Sequence, residues 1–176
     1  EALKRGGKVV GAAPYTDTSP KGQIDRVFEM AREFDIDVDM HLDFGPSPDD
    51  LDLLYVCELT DKYKYGGRVA IGHVTKLSAA APEHLERAAR RMADAGVALT
   101  VLPSTDLYLM GRHMQHTVMR GVTEARALHV IERDLADSLG PQRLPAQVLA
   151  AVPAAARPGH ALPRRYRLRL RLGPVP

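Results

Sequence analysis

Four short apolar runs, at residues 8–13, 38–42, 68–73 and 98–102, begin about thirty residues apart, with helix-length stretches between them. That is the period of one strand followed by one crossover helix. The intervening stretches carry a helical pattern at 23–34, where Ile24, Val27, Phe28 and Ala31 share a face, and again at 50–63 and 83–95. Pro20 and Pro82 stand near helix starts, and Gly96 follows the last apolar position of its helix, as start and stop signals should. Strands this apolar, alternating with amphipathic helices, require a parallel sheet covered by helices. Right-handed crossovers then make sequential strands neighbours. The expected class is α/β.

Four such units make half of a (β/α)8 TIM-type barrel. Residues 1–7 read as the last turn of a helix before a strand, so the expectation is an N-terminally incomplete barrel over residues 1–137. A long polar and basic loop is expected over residues 103–122, followed by a fifth helix from Thr123 to about residue 135. After Asp137 the chain has no acidic residue and seven arginines, set among Pro, Ala and Leu. Residues 138–176 are therefore expected to be an irregular or disordered basic tail, with the Arg/Leu alternation at 166–172 an alternative edge strand or anionic-surface contact.

The tail also makes the net charge of +2 misleading. Residues 1–137 hold 17 Lys+Arg against 22 Asp+Glu, a formal charge of −5. No broad basic bias points to nucleic acid. The longest apolar stretches are interrupted within about ten residues, short of the roughly 20 needed to span a bilayer, so no membrane partner is expected and a cytoplasmic location is the default. The single cysteine, Cys57, falls where a helix would bury it and is read as structural. Exposed sheet edges of a half-barrel need covering, and a homo-oligomer is one way to do so.

Chemistry should lie at the strand ends, where β/α folds build their active sites. His41 and His73 close successive strand-like runs, and parallel strands lie roughly 5 Å apart, so two imidazoles there can share one ligand or one ion. A neutral imidazole can bind a divalent metal, and a second can transfer protons. Asp43 has the same side parity as His41 and could orient a ring or act on substrate; the competing reading places it at the start of a strand-to-helix loop. Within the loop after the fourth strand, Asp106 and Arg112 are the substrate-contact candidates. His113 and His116 have helical metal spacing but no further ligands nearby.

Taken in order, His41-Leu-Asp43, Gly72-His-Val-Thr75, residues 103–112 with Leu-Met-Gly-Arg at their end, and Arg120-Gly-Val-Thr123 resemble the cytosine deaminase branch of the metal-dependent amidohydrolases. The resemblance covers about residues 1–130. It implies a (β/α)8 barrel in which a divalent metal, zinc or iron, activates water for hydrolysis of a C–N bond in a heterocycle or cyclic amide. It implies further that His41 is a metal ligand and that His73 assists the water. Phe44 stands where that branch carries a proton-shuttling glutamate, and no His-x-His pair of the kind found on the family's first strand occurs in the chain. The expectation is therefore a C–N hydrolase with a small nitrogenous substrate. The rival is a catalytically silent relative that binds a small molecule or serves an oligomer. A sugar- or phosphate-binding barrel comes third, since no Gly-rich phosphate loop follows any strand.

Overall fold

The computed structural model describes residues 1–116, 121–123 and 148–149. Within them, strands β1 (Val9–Val10), β2 (Asp37–Leu42), β3 (Val69–His73), β4 (Val97–Thr100) and β5 (Val148–Leu149) form one sheet in the order β1-β2-β3-β4-β5. Every neighbouring pair is parallel. Helices α1 (Pro20–Phe34), α2 (Asp52–Tyr63) and α3 (Pro82–Ala95) make the first three crossovers. This is the architecture expected from the thirty-residue period. Among the described residues no helix is long and apolar enough to cross a membrane.

Local signals explain where the helices begin and end. Pro20 and Pro82 open α1 and α3, where a missing N–H costs nothing. Gly96 ends α3 in the left-handed region at φ 69, packed so closely on Gly66 that an added Cβ would stand 3.1 Å from its Cα. Tighter still is Gly11, just past β1: a Cβ there would fall 1.9 Å from the carbonyl oxygen of Asp39. The close approach lets the His41 amide donate to the Ala12 carbonyl at 2.9 Å, which extends the β1–β2 contact beyond the regular strand.

The sheet has two unlike faces. Val38, Met40, Leu42, Val69, Ile71, Val97 and Leu99 bury themselves against Ile24, Val27 and Phe28 of α1, Leu53 and Val56 of α2, and Met92 of α3. Each fully buried large side chain contributes about 1.5–3 kcal/mol, so this layer holds the fold together. On the other face the register aligns Asp39 with Ala70 and Ala98, and His41 with Gly72 and Thr100. Of these residues Asp39 and His41 are exposed, whereas Ala70, Gly72 and Ala98 are buried.

One expectation needs amending. The segment after β4 begins as a helix, α4 (Pro103–Leu109), not as a loop; Pro103 occupies its first turn and Asp106 lies buried within it. Strand β5 is the part of residues 138–176 that is described, and it pairs Leu99 with Val148 and Thr100 with Leu149. The expected helix from Thr123 to about residue 135 and the Arg/Leu alternation at 166–172 lie outside the described residues, Thr123 itself excepted.

Candidate active site

His41 reaches the face away from the helix layer by ordinary strand alternation, since Met40 and Leu42 on either side of it point into that layer. His73 does not. The register pairs it with Leu42, so a regular strand would send its ring toward the helices. Instead the backbone turns left-handed at His73 (φ 69) and Val74 (φ 47), and the ring comes to lie 4.8 Å from that of His41, inclined by 41°. Left-handed φ at two non-glycine residues, one of them β-branched, costs on the order of 1–3 kcal/mol each and persists only when its surroundings enforce it.

The enforcement is visible. The buried hydroxyl of Thr123 lies 2.8 Å from the carbonyl oxygens of both His73 and Val74, and the Val74 amide donates to the Leu42 carbonyl at 3.1 Å. Phe44 meets the His73 ring edge to face at 5.6 Å and an 82° angle, with Tyr15 behind it at 5.6 Å. An aromatic wall thus covers one side of the imidazole.

His73 is 5% exposed, and its Nδ1 lies 2.6 Å from Oδ1 of Asp106, which is fully buried in α4. The other oxygen, Oδ2, has no hydrogen-bond partner among the described residues. Asp106 was expected to touch a substrate; the structure gives its carboxylate to a histidine from the neighbouring strand end. The pairing spans 33 residues and leaves no local mark in the sequence.

Asp43 takes a third course. It too is left-handed, at φ 50, and the turn removes its side chain from the face that strand parity would give it. Oδ1 accepts the amide of Asp52 and Oδ2 the amide of Leu53, both at 2.9 Å, while Lys76 Nζ lies 3.8 Å away. The carboxylate caps the first turn of α2, satisfying amides that have no intrahelical partner. Burial pushes its pKa up to about 6, against the pull of the two amides and Lys76. Asp43 therefore does what the competing sequence reading said, at the loop into the next helix, and its link to His41 is through the chain.

Arg112 is exposed, with its guanidinium over the Tyr108 ring at 4.6 Å. His113 and His116 are exposed as well, and among the described residues no group of three His, Cys, Asp or Glu could hold a metal ion. Cys57 is fully buried and its thiol pKa is pushed up to about 12 by burial, as suits a packing residue. Sequence reasoning gave Thr123 no part in the site, although Arg120-Gly-Val-Thr123 was one of the motifs that carried the resemblance.

No protein-family model matches the chain. Over 122 residues it is 25% identical to a pterin deaminase of Rhizobium rhizogenes, a match spanning 69% of this chain and 28% of that protein. Among solved structures it is similar to 5-methylcytosine deaminase from Klebsiella pneumoniae liganded with 5-fluorocytosine, with a TM-score of 0.68, 21% identity, and coverage of 74% of this chain and 32% of the other. It is similar also to N-isopropylammelide isopropylaminohydrolase from Burkholderia multivorans, with a TM-score of 0.59, 21% identity, and coverage of 74% and 30%. The chain thus spans about a third of the length of the proteins it matches. The resemblance drawn from its motifs is borne out as a likeness: over some three quarters of its length this chain shares the β/α fold of these deaminase and aminohydrolase structures, and its sequence is similar to part of a pterin deaminase.

Proposed function

We propose that the chain forms one wall of the active site of a metal-dependent hydrolase that cleaves a non-peptide C–N bond in a heterocycle or cyclic amide, releasing ammonia or an amine. The observation that carries this reading is the facing pair His41 and His73 at the ends of two adjacent parallel strands, with one ring exposed and the other anchored to a buried carboxylate. The names of the similar proteins, which include a pterin deaminase and a 5-methylcytosine deaminase, support the bond type and a small nitrogenous substrate.

In this reading His41 supplies one neutral imidazole donor to a divalent ion, zinc or iron being the ions that suit such donors. The described residues do not complete a metal site around it. A bound ion would polarise the substrate and ease ionisation of water. His73, through Nε2, takes the proton from water as the new C–O bond forms and delivers it to the departing nitrogen as the C–N bond breaks. Phe44 keeps bulk water from one side of that ring. Asp43 fixes the start of α2, and Arg112 is assigned to substrate contact. A second reading, a silent relative that binds a small molecule, is favoured by one observation: Phe44 cannot transfer a proton.

The test is metal content by plasma mass spectrometry after chelation and reloading, for the wild type, His41→Ala and His73→Ala, with ammonia release from pterins and aminopyrimidines measured in parallel. Stoichiometric metal lost in His41→Ala, kept in His73→Ala, and ammonia released by the wild type alone support the hydrolase. A wild type that binds no ion and releases no ammonia removes it. Metal binding without turnover on any C–N substrate favours the silent relative.

A further inference from the structure

We infer that Asp106 is a positioning residue that fixes His73 as the tautomer protonated at Nδ1, leaving the Nε2 lone pair for the reaction and so giving this site a proton carrier where Phe44 provides none. The inference rests on His73 acting as the proton carrier in the function proposed above. It starts from the buried carboxylate. An ionised carboxylate accepts hydrogen bonds and donates none, and away from water it needs a donor facing it. Asp106 is fully buried, its Oδ2 has no partner among the described residues, and its Oδ1 lies 2.6 Å from His73 Nδ1. That distance is in the range of a charge-assisted bond, and the imidazole is the donor that reaches the carboxylate. A ring that donates through Nδ1 and stays neutral must carry its lone pair on Nε2.

The surroundings fix the ring as well as its proton. Asp106 belongs to α4, and its amide donates to the Leu102 carbonyl at 2.9 Å, so the carboxylate is held by a helix that starts directly after β4. Phe44 packs on the ring and the Thr123 hydroxyl holds the strand end beneath it. The imidazole is thereby gripped at Nδ1, at one edge and through its own carbonyl. The cycle balances without an added reagent. Nε2 removes one proton from water as oxygen bonds to carbon, and the same proton leaves on the amine nitrogen as its bond to carbon breaks, which restores the neutral ring.

The isosteric change Asp106→Asn tests the assignment. An amide can present its NH2 to Nδ1, which would drive the ring proton to Nε2 while leaving the packing unchanged. The readout is the long-range 1H–15N correlation spectrum of protein labelled with 15N-histidine at neutral pH, with His73 assigned by elimination across single His→Asn variants. The expected result is a His73 ring protonated at Nδ1 alone in the wild type and a shift of that proton to Nε2 in Asp106→Asn. Two results overturn the inference: a wild-type ring protonated at Nε2 alone, or a wild-type ring protonated at both nitrogens. Should that variant fail to fold, the wild-type spectrum still decides, because the inference requires a ring protonated at Nδ1 and bare at Nε2. The spectrum reads no turnover, so a site with the expected tautomer and no ammonia release would remove the hydrolase reading and leave the positioning role intact.

Discussion

Replacing Thr123 by valine deletes one hydroxyl and leaves the shape of the side chain almost unchanged. That hydroxyl lies 2.8 Å from each of two carbonyl oxygens, those of His73 and Val74, and Thr123 is 2% exposed. Its single proton can serve only one acceptor at a time, so the loss is one buried hydrogen bond and not two. A buried acceptor left without a donor costs about 1–3 kcal/mol. The substitution also frees the left-handed backbone at His73 and Val74 to relax, which returns part of the strain and holds the expected loss near the middle of that range, about 2 kcal/mol. Urea unfolding of the wild type, Thr123→Val and Thr123→Ser measures it. Serine keeps the hydroxyl and forfeits only a methyl, so it should retain most of the stability that valine loses. A valine variant within about 0.5 kcal/mol of the wild type, the scatter of ordinary surface changes, or a serine variant as unstable as valine, would refute the idea that this hydroxyl secures the strand end.

Two further outcomes follow from the same geometry. Asp43→Ala removes both amide acceptors at the start of α2 and should lower stability by about 1–2 kcal/mol, read from the urea midpoint; an unchanged midpoint would show that the carboxylate is not the cap. Cys57, fully buried and with its thiol pKa pushed up to about 12, should resist alkylation by iodoacetamide at pH 8 in the native protein and react once urea unfolds it, with mass spectrometry counting the adducts; prompt native labelling would contradict the packing.

How much of this could be read from the residues depends on where the chain keeps a regular period. The helices of the first three crossovers were legible because Ile24, Val27, Phe28 and Ala31 recur at helical spacing, and because Pro20, Pro82 and Gly96 mark boundaries through their own covalent limits. The pairing of His41 with His73 was legible as proximity, from strand spacing alone. The direction of side chains at the strand ends was not. Period-two reasoning gives Asp43 to the face of His41, yet a left-handed φ at Asp43 hands it to α2, and the same device brings His73 over to His41. The helix α4 had a signal in Pro103, which the polar composition of its segment outweighed. The bond between Asp106 and His73 joins residues 33 apart and obeys no local rule.

The left-handed turn at His73 and Val74 also bears on speed. A side chain that must swing into place when its substrate arrives adds a search over rotamers to every turnover, and that search subtracts from the advantage of holding reactants together. Here the awkward backbone, the hydroxyl beneath it, the aromatic ring and the carboxylate at Nδ1 are all parts of the chain's own fold. In the hydrolase proposed above, a ring aimed by folding would leave only the substrate to be oriented on encounter.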